Sequence, residues 1–138
     1  LVTVAVKRKE QIMQDRFKYK VKLEIDGKVE IFDVTDLDIE RGQIYFKRED
    51  GQYYNAGIGC EDVELLQCTG LKDENSKLIF EGDRVYIACE EEYAIIEWSD
   101  DLARFVIHFE DEKVVADFDN YYGKELEVIG NIYEDKQC

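Results

Sequence analysis

The stretch Phe17–Val34, FKYKVKLEIDGKVEIFDV, decides how the rest of the chain is read. Phe17, Tyr19, Val21, Leu23 and Ile25 alternate with Lys18, Lys20, Lys22 and Glu24. A period of two puts the apolar side chains on one side of a strand and the charged ones on the other. Asp26-Gly27 interrupts the run, and a second strand is expected from Lys28 to Val34. A two-residue loop would set Leu23 opposite Glu30 and Lys22 opposite Ile31. A three-residue loop, Ile25-Asp26-Gly27, sets Leu23 opposite Val29 and Val21 opposite Ile31. It also pairs Lys22 with Glu30 and Glu24 with Lys28. Apolar and opposite-charge cross-strand pairs are each worth about 0.2–1 kcal/mol. The three-residue loop, with Gly27 left-handed, is therefore the expected register.

Downstream, Thr35–Gly42 (TDLDIERG) reads as a cap, a short helical turn and a glycine stop. A second hairpin is expected from Gln43–Arg48 and Gln52–Ala56, turning at Glu49-Asp50-Gly51, with its register open. Further strands are expected at Val63–Thr69, Arg84–Cys89, Tyr93–Trp98, Ala103–Phe109, Lys113–Phe118 and Leu126–Tyr133. Proline is absent, so Gly, Asp and Asn must make the turns. Short strands at such regular spacing give an all-β fold, an antiparallel sandwich or partly open barrel.

Charge divides the chain. Residues 1–58 carry 11 acids and 11 bases; residues 59–138 carry 22 acids and 7 bases, hence the whole net charge of −15. Two β subdomains are expected, 1–58 and 59–138, meeting near Gly57-Ile58-Gly59 and able to share a core. An acidic second half repels phosphates, so no direct nucleic-acid contact is expected. No apolar run approaches the roughly 18 residues of a membrane helix. In LVTVAVKRKEQIM the basic residues follow the apolar ones, unlike a secretory signal. A soluble cytoplasmic protein is the expectation.

Cys60, Cys68, Cys89 and Cys138 form no CxxC pair, and His108 is the only histidine. Neither a zinc site nor a disulfide framework is expected, and the cysteines are read as reduced and mostly buried. His108 shares a strand face with Arg104 and Val106 next to Glu110, and no nucleophile stands at readable spacing from it.

The segment Thr69–Asp83, TGLKDENSKLIFEGD, reads as backbone engineering. Gly70 lets the chain leave a strand sharply. Asp73 and Asn75 can bond nearby backbone groups. Leu78, Ile79 and Phe80 supply apolar anchors, and Gly82-Asp83 turns the chain into the next strand. The glycines are too sparse to cradle phosphate, and no GK[ST] follows.

LLQCTGLKDENSKLIFEGDRV, together with EVIGNIYED at Glu127–Asp135, resembles the YopX-like family of bacteriophage and prophage proteins. The matching residues are Gln67, Thr69, Gly70, Leu71, Asp73 and Asn75, then Glu81, Gly82 and Asp83. Gly130, Asn131, Ile132, Tyr133 and Glu134 complete them. The resemblance spans roughly residues 65–135. It implies a phage or prophage origin, a bacterial host and a mostly β fold, and it implies no activity. Ser76 stands where the family commonly has glycine, so a different turn type is expected after Asn75.

Two acidic turns, Glu90-Glu91-Glu92 and Glu110-Asp111-Glu112, should lie two strands apart at one end of a sheet, roughly 10 Å from each other. They form a candidate acidic interaction patch, with Asp100 and Asp101 at the opposite end. Asp100 or Asp101 with Asp111-Glu112-Lys113 faintly resembles the carboxylate and lysine set of magnesium-dependent nucleases, but the strand plan separates the groups. Asp36, Asp38 and Glu40 have calcium-loop spacing, with Arg41 and Lys47 where glycine and glutamate are needed. No catalytic, cofactor or metal site is therefore expected. The lysines of Phe17–Ile25 read as a solvated, charge-balanced face. Tyr53-Tyr54 and Tyr121-Tyr122 are read as core residues or contact anchors. The expectation is a non-enzymatic protein that acts through protein contacts with an unnamed partner and self-associates. The alternative is an acidic mimic of nucleic acid that occupies a basic host protein.

Overall fold

A computed structural model of the chain describes residues 15, 17–110, 115–117 and 126–133. The deciding hairpin is present as β1 (Tyr19–Ile25) and β2 (Lys28–Asp38). Its register differs from expectation: Leu23 stands opposite Glu30, Lys22 opposite Ile31, and Ile25 opposite Lys28. The loop is therefore two residues, Asp26-Gly27, both at positive φ (53° and 80°). That backbone matches the right-handed twist of paired strands, and Asp-Gly tolerates it. Turn geometry outweighed the small gain from cross-strand charge pairing.

The expected helical turn at 35–42 is also replaced. β2 runs on to Asp38 across a bulge at Thr35, where pairing skips from Val34–Phe46 to Asp36–Tyr45. The Thr35 hydroxyl donates to the Tyr45 carbonyl at 3.1 Å, so the residue read as a helix cap holds the bulge instead. β3 (Gln43–Lys47) and β4 (Tyr53–Gly57) form the second hairpin, with Phe46 opposite Tyr54 and Ile44 opposite Ala56.

β5 (Val63–Lys72) returns to pair with β1, and β6 (Leu78–Phe80) pairs with β5. The first sheet thus has six strands in the order β4-β3-β2-β1-β5-β6. The second has five, β10-β9-β8-β7-β11, built from β7 (Asp83–Ile87), β8 (Glu92–Ser99), β9 (Arg104–Phe109), β10 (Val115–Asp117) and β11 (Leu126–Asn131). All described pairings are antiparallel, and neither sheet closes into a barrel. The sheets change over at Glu81-Gly82, well beyond Gly57–Gly59 where the charge balance shifts.

Each sheet buries one set of alternating residues. Val21, Leu23, Ile44 and Phe46 form one core. Val85, Ile87, Ala94, Ile96, Ile107 and Leu126 dominate the other. Ile79 of β6 belongs to this second core and Leu71 of β5 packs against it, so the last two strands of the first sheet reach into the second. Each fully buried aliphatic side chain contributes about 1.5–3 kcal/mol relative to exposure. Of the three described cysteines only Cys68 is buried; Cys60 and Cys89 are exposed, contrary to expectation. Cys60 and Cys89 lie in turns, outside the alternation that buries strand residues.

Candidate functional site

The two motifs singled out in the sequence meet in space. Asp73, one of the few buried carboxylates, is their hub. Its Oδ1 accepts the backbone N–H groups of Asn75 and Lys77, both at 2.9 Å. Its Oδ2 accepts the N–H of Val128 on β11 at 2.8 Å. The N–H of Glu74 donates to the Leu126 carbonyl at 2.9 Å. The 73–77 loop is thereby pinned to the far edge of the second sheet.

Gly82 ties the same regions together. Its N–H donates to the Ile96 carbonyl, and its carbonyl accepts from Ile132. It sits at φ 85°, and a Cβ there would come within 2.9 Å of Cε2 of Tyr133. Asp83 stands opposite Asn131 and Arg84 opposite Gly130 across β7 and β11. Asp83 Oδ2 accepts the Phe80 N–H at 2.8 Å, and Asn131 Oδ1 accepts the Tyr133 N–H at 2.9 Å. The Thr69 hydroxyl donates to the Ile79 carbonyl and accepts from Leu71 N–H. Glu81 donates its N–H to the Gln67 carbonyl. Glu134 lies outside the described residues.

One detail departs from the sequence reading. Gly70 does not end a strand: it lies inside β5, left-handed at φ 82°, where the pairing with β6 shifts between Cys68 and Lys72. A bulge bends the strand there while the backbone stays paired on either side. Ser76 adopts a left-handed conformation (φ 65°) that glycine would adopt easily.

Tyr133 is the pivot of the seam between the sheets. Its ring lies 4.5 Å from Lys22 Nζ, and its hydroxyl donates to Glu64 Oε1 at 3.3 Å. Lys22 also pairs with Glu64 at 3.3 Å. Lys22 is therefore not balanced by Glu30, nor Glu24 by Lys28, as the three-residue loop would have paired them. Lys22 meets Glu64 and Tyr133, and Lys20 Nζ lies 4.6 Å from the Phe80 ring centre. Burial, then the charge of Glu64, pushes the Tyr133 hydroxyl up to about 12. Burial, then the nearby Glu64 and Asp100, raises the Glu81 carboxyl above its usual range. Glu64 carried no sequence signal, and nothing local linked Lys22 or Asp100 to this seam, because their partners lie on strands far along the chain.

The acidic patch is only partly described. Glu90 and Glu91 are exposed in the turn before β8, and Glu92 opens β8. The N–H of Glu110 donates to the Tyr93 carbonyl, which sets Glu110 beside that turn. Arg84 holds Glu110 through two bonds, at 2.7 and 3.1 Å, and lies over the Tyr93 ring. Glu110 is thus charge-compensated. Asp111 and Glu112 lie outside the described residues, as do Lys113, Tyr121, Tyr122 and Cys138. His108 faces Glu97 at 3.2 Å, not Glu110. Among the described residues no three His, Cys, Asp or Glu side chains gather as a metal-binding group.

Aromatic side chains are exposed on β4 and β8. Tyr53 is 67% exposed on the outer strand β4, beside a hollow lined by Thr35, Asp36 and Tyr45. Trp98 is partly exposed near Leu102 and packs edge-on against Phe105.

The family described as YopX protein matches residues 6–137. The chain belongs to the YopX family. The match extends the resemblance read from the two motifs to nearly the whole chain. Among solved structures, the chain is similar to one titled "Crystal structure of protein EF1440 from Enterococcus faecalis". The identity is 26%, the match covers 87% of this chain and 95% of that one, and the TM-score is 0.54. No curated protein matches the chain. In this YopX-family β protein the side chains of Thr69, Asp73, Asp83 and Asn131 bond to its own backbone. Among the described residues no helix is long and apolar enough to cross a membrane.

Proposed function

We propose that this protein is a non-enzymatic interaction module of phage or prophage origin, acting in the cytoplasm of a bacterial host through protein contacts, and that it self-associates. Asp73, Asp83, Asn131 and Thr69 support this reading: each is bonded to backbone, as scaffold residues are. The observation that carries it is the outer strand β4, which among the described residues pairs only with β3 and presents Tyr53 to solvent. A strand edge offers unpaired backbone groups to a neighbouring strand, and an exposed tyrosine beside it supplies apolar contact area. Lys47, whose Nζ lies 5.7 Å from the Tyr53 ring centre, tempers that edge with charge. Light scattering across a wide concentration range tests this. The expected result is an oligomer that Tyr53→Lys converts to monomer. A wild-type monomer at the highest concentration would reject self-association.

A second reading rests on the confinement of the net −15 to residues 59–138. In it the acidic half occupies a basic groove of a host protein in the manner of nucleic acid. Such a complex weakens steeply with salt. Recovery of no basic protein from host lysate at low salt would reject it.

A further inference from the structure

One groove on this acidic protein is lined by three lysines. Lys18 and Lys20 project from the β1 side, and Lys77 comes from the loop that Asp73 clamps. Tyr19 and Phe80 contribute aromatic wall, and Asp33 is the one acid in the lining. The groove measures about 460 Å³, within the range of roughly 300–1,000 Å³ typical of small-ligand sites.

The lysines are held in different ways. Lys18 pairs with the buried Asp15 at 3.0 Å. Among the described residues neither Lys20 nor Lys77 is ion-paired, although the chain has 33 acids for 18 bases. Lys20 instead lies over the Phe80 ring. Lys77 is fixed through its backbone: its N–H donates to Asp73 Oδ1 at 2.9 Å, and its carbonyl accepts the Asp73 N–H at 2.8 Å. The loop that presents Lys77 is thus preorganised, which lowers the ordering cost of binding.

We propose that this groove binds a small organic anion, with its carboxylate or phosphate against the ammonium groups of Lys18, Lys20 and Lys77. Lysine meets such oxyanions as a mobile point charge. Leu78 offers apolar surface to the body of the ligand, while Val34, also at the groove, packs against the first core. Asp33, the cross-strand partner of Lys20, is an acceptor in the same groove. It favours an anion that also carries a hydroxyl donor over one that does not. The overall negative charge repels anions at long range, but at about 0.15 M salt charges beyond roughly 8 Å are screened and the local lysines dominate.

The test is a chemical-shift titration of the full chain at that ionic strength, with citrate, with tricarballylate (which lacks the hydroxyl) and with inorganic phosphate. The expected result is saturable binding with shifts confined to residues near 18–20, 33–34 and 77–80. Citrate should outbind tricarballylate if the carboxylate source is right, and phosphate should saturate first if the phosphate source is right. Lys20→Gln with Lys77→Gln should weaken binding at least about tenfold, the loss of charge-assisted contacts, while leaving the circular dichroism spectrum unchanged. No saturation below about 10 mM by any of the three, or titration unaffected by the double substitution, overturns the proposal. Shifts shared equally with Lys28 and Lys47, far along the sheet, overturn it as well.

Discussion

Asp73 accepts a 2.8 Å hydrogen bond from the N–H of Val128, a residue 55 positions further along the chain. With the Glu74–Leu126 and Ile132–Gly82 backbone bonds, that contact joins the TGLKDENSKLIFEGD segment to the strand that leads into GNIYE. It explains why a turn-making aspartate is buried: one of its oxygens serves the local turn while the other reaches a distant strand. Removing the carboxylate orphans donors on both sides. We expect Asp73→Ala to cost about 2–4 kcal/mol, since each buried donor left unpaired costs about 1–3 kcal/mol. Urea denaturation measures it. A loss under about 0.5 kcal/mol would mean that water replaces the carboxylate without strain.

Gly82→Ala should destabilise by about 1–3 kcal/mol, combining left-handed strain with a side-chain collision. The collision is with the Tyr133 ring, at 2.9 Å. In a Tyr133→Ala background the same substitution should cost only the strain, roughly 1 kcal/mol. A double-mutant cycle reads the difference as coupling. Strict additivity would show that the ring simply moves aside.

Glu81 sets a pH dependence. Its folded pKa is raised above the usual 4.5, with burial the largest cause. The native state therefore holds this proton more tightly than the unfolded state does. The contribution is complete below pH 4.5 and is lost as pH rises through the raised folded value. Glu81→Gln should flatten the fall in stability above pH 4.5 and be more stable than wild type at neutral pH. Thermal melts across that window decide the matter; parallel curves for the two proteins would count against it.

Tyr133 acts at the alkaline end. Its pKa rises from 10 to about 12 because burial and Glu64 disfavour the phenolate. Stability present below pH 10 is therefore lost as pH climbs through about 12. Tyr133→Phe should lack that component of alkaline unfolding. Ultraviolet titration of the wild type should show a late-ionising component that Tyr133→Phe removes. If the substitution leaves the late part of the curve unchanged while the protein stays folded, Tyr133 is more open to water than its contacts suggest.

Alternation made the strands readable. Tyr19–Ile25, Glu92–Ser99 and Arg104–Phe109 lie within two residues of the bounds expected, because a strand with one buried face must repeat every second residue. Pairing was less readable. The Asp26-Gly27 turn was visible, but its length was decided by backbone twist, and side-chain pairing gave the wrong register. Thr35–Asp38 has the letters of a helix cap and became strand, because β3 offered it a ladder that a lone helical turn lacks.

What the sequence determined by itself was local: an all-β chain, the places where it turns, and two motifs with the residue types needed to hold backbone. Those follow from sterics and periodicity within a few residues. What only the tertiary structure decided was which distant groups share a site. Lys22 with Glu64, Lys77 with Lys18 and Lys20, and Arg84 with Glu110 became neighbours when strands distant in sequence assembled into each sheet, and Tyr133 reached Lys22 from the end of the second sheet. Such contacts depend on burying apolar faces that have no fixed spacing along the chain, so no local pattern announces them.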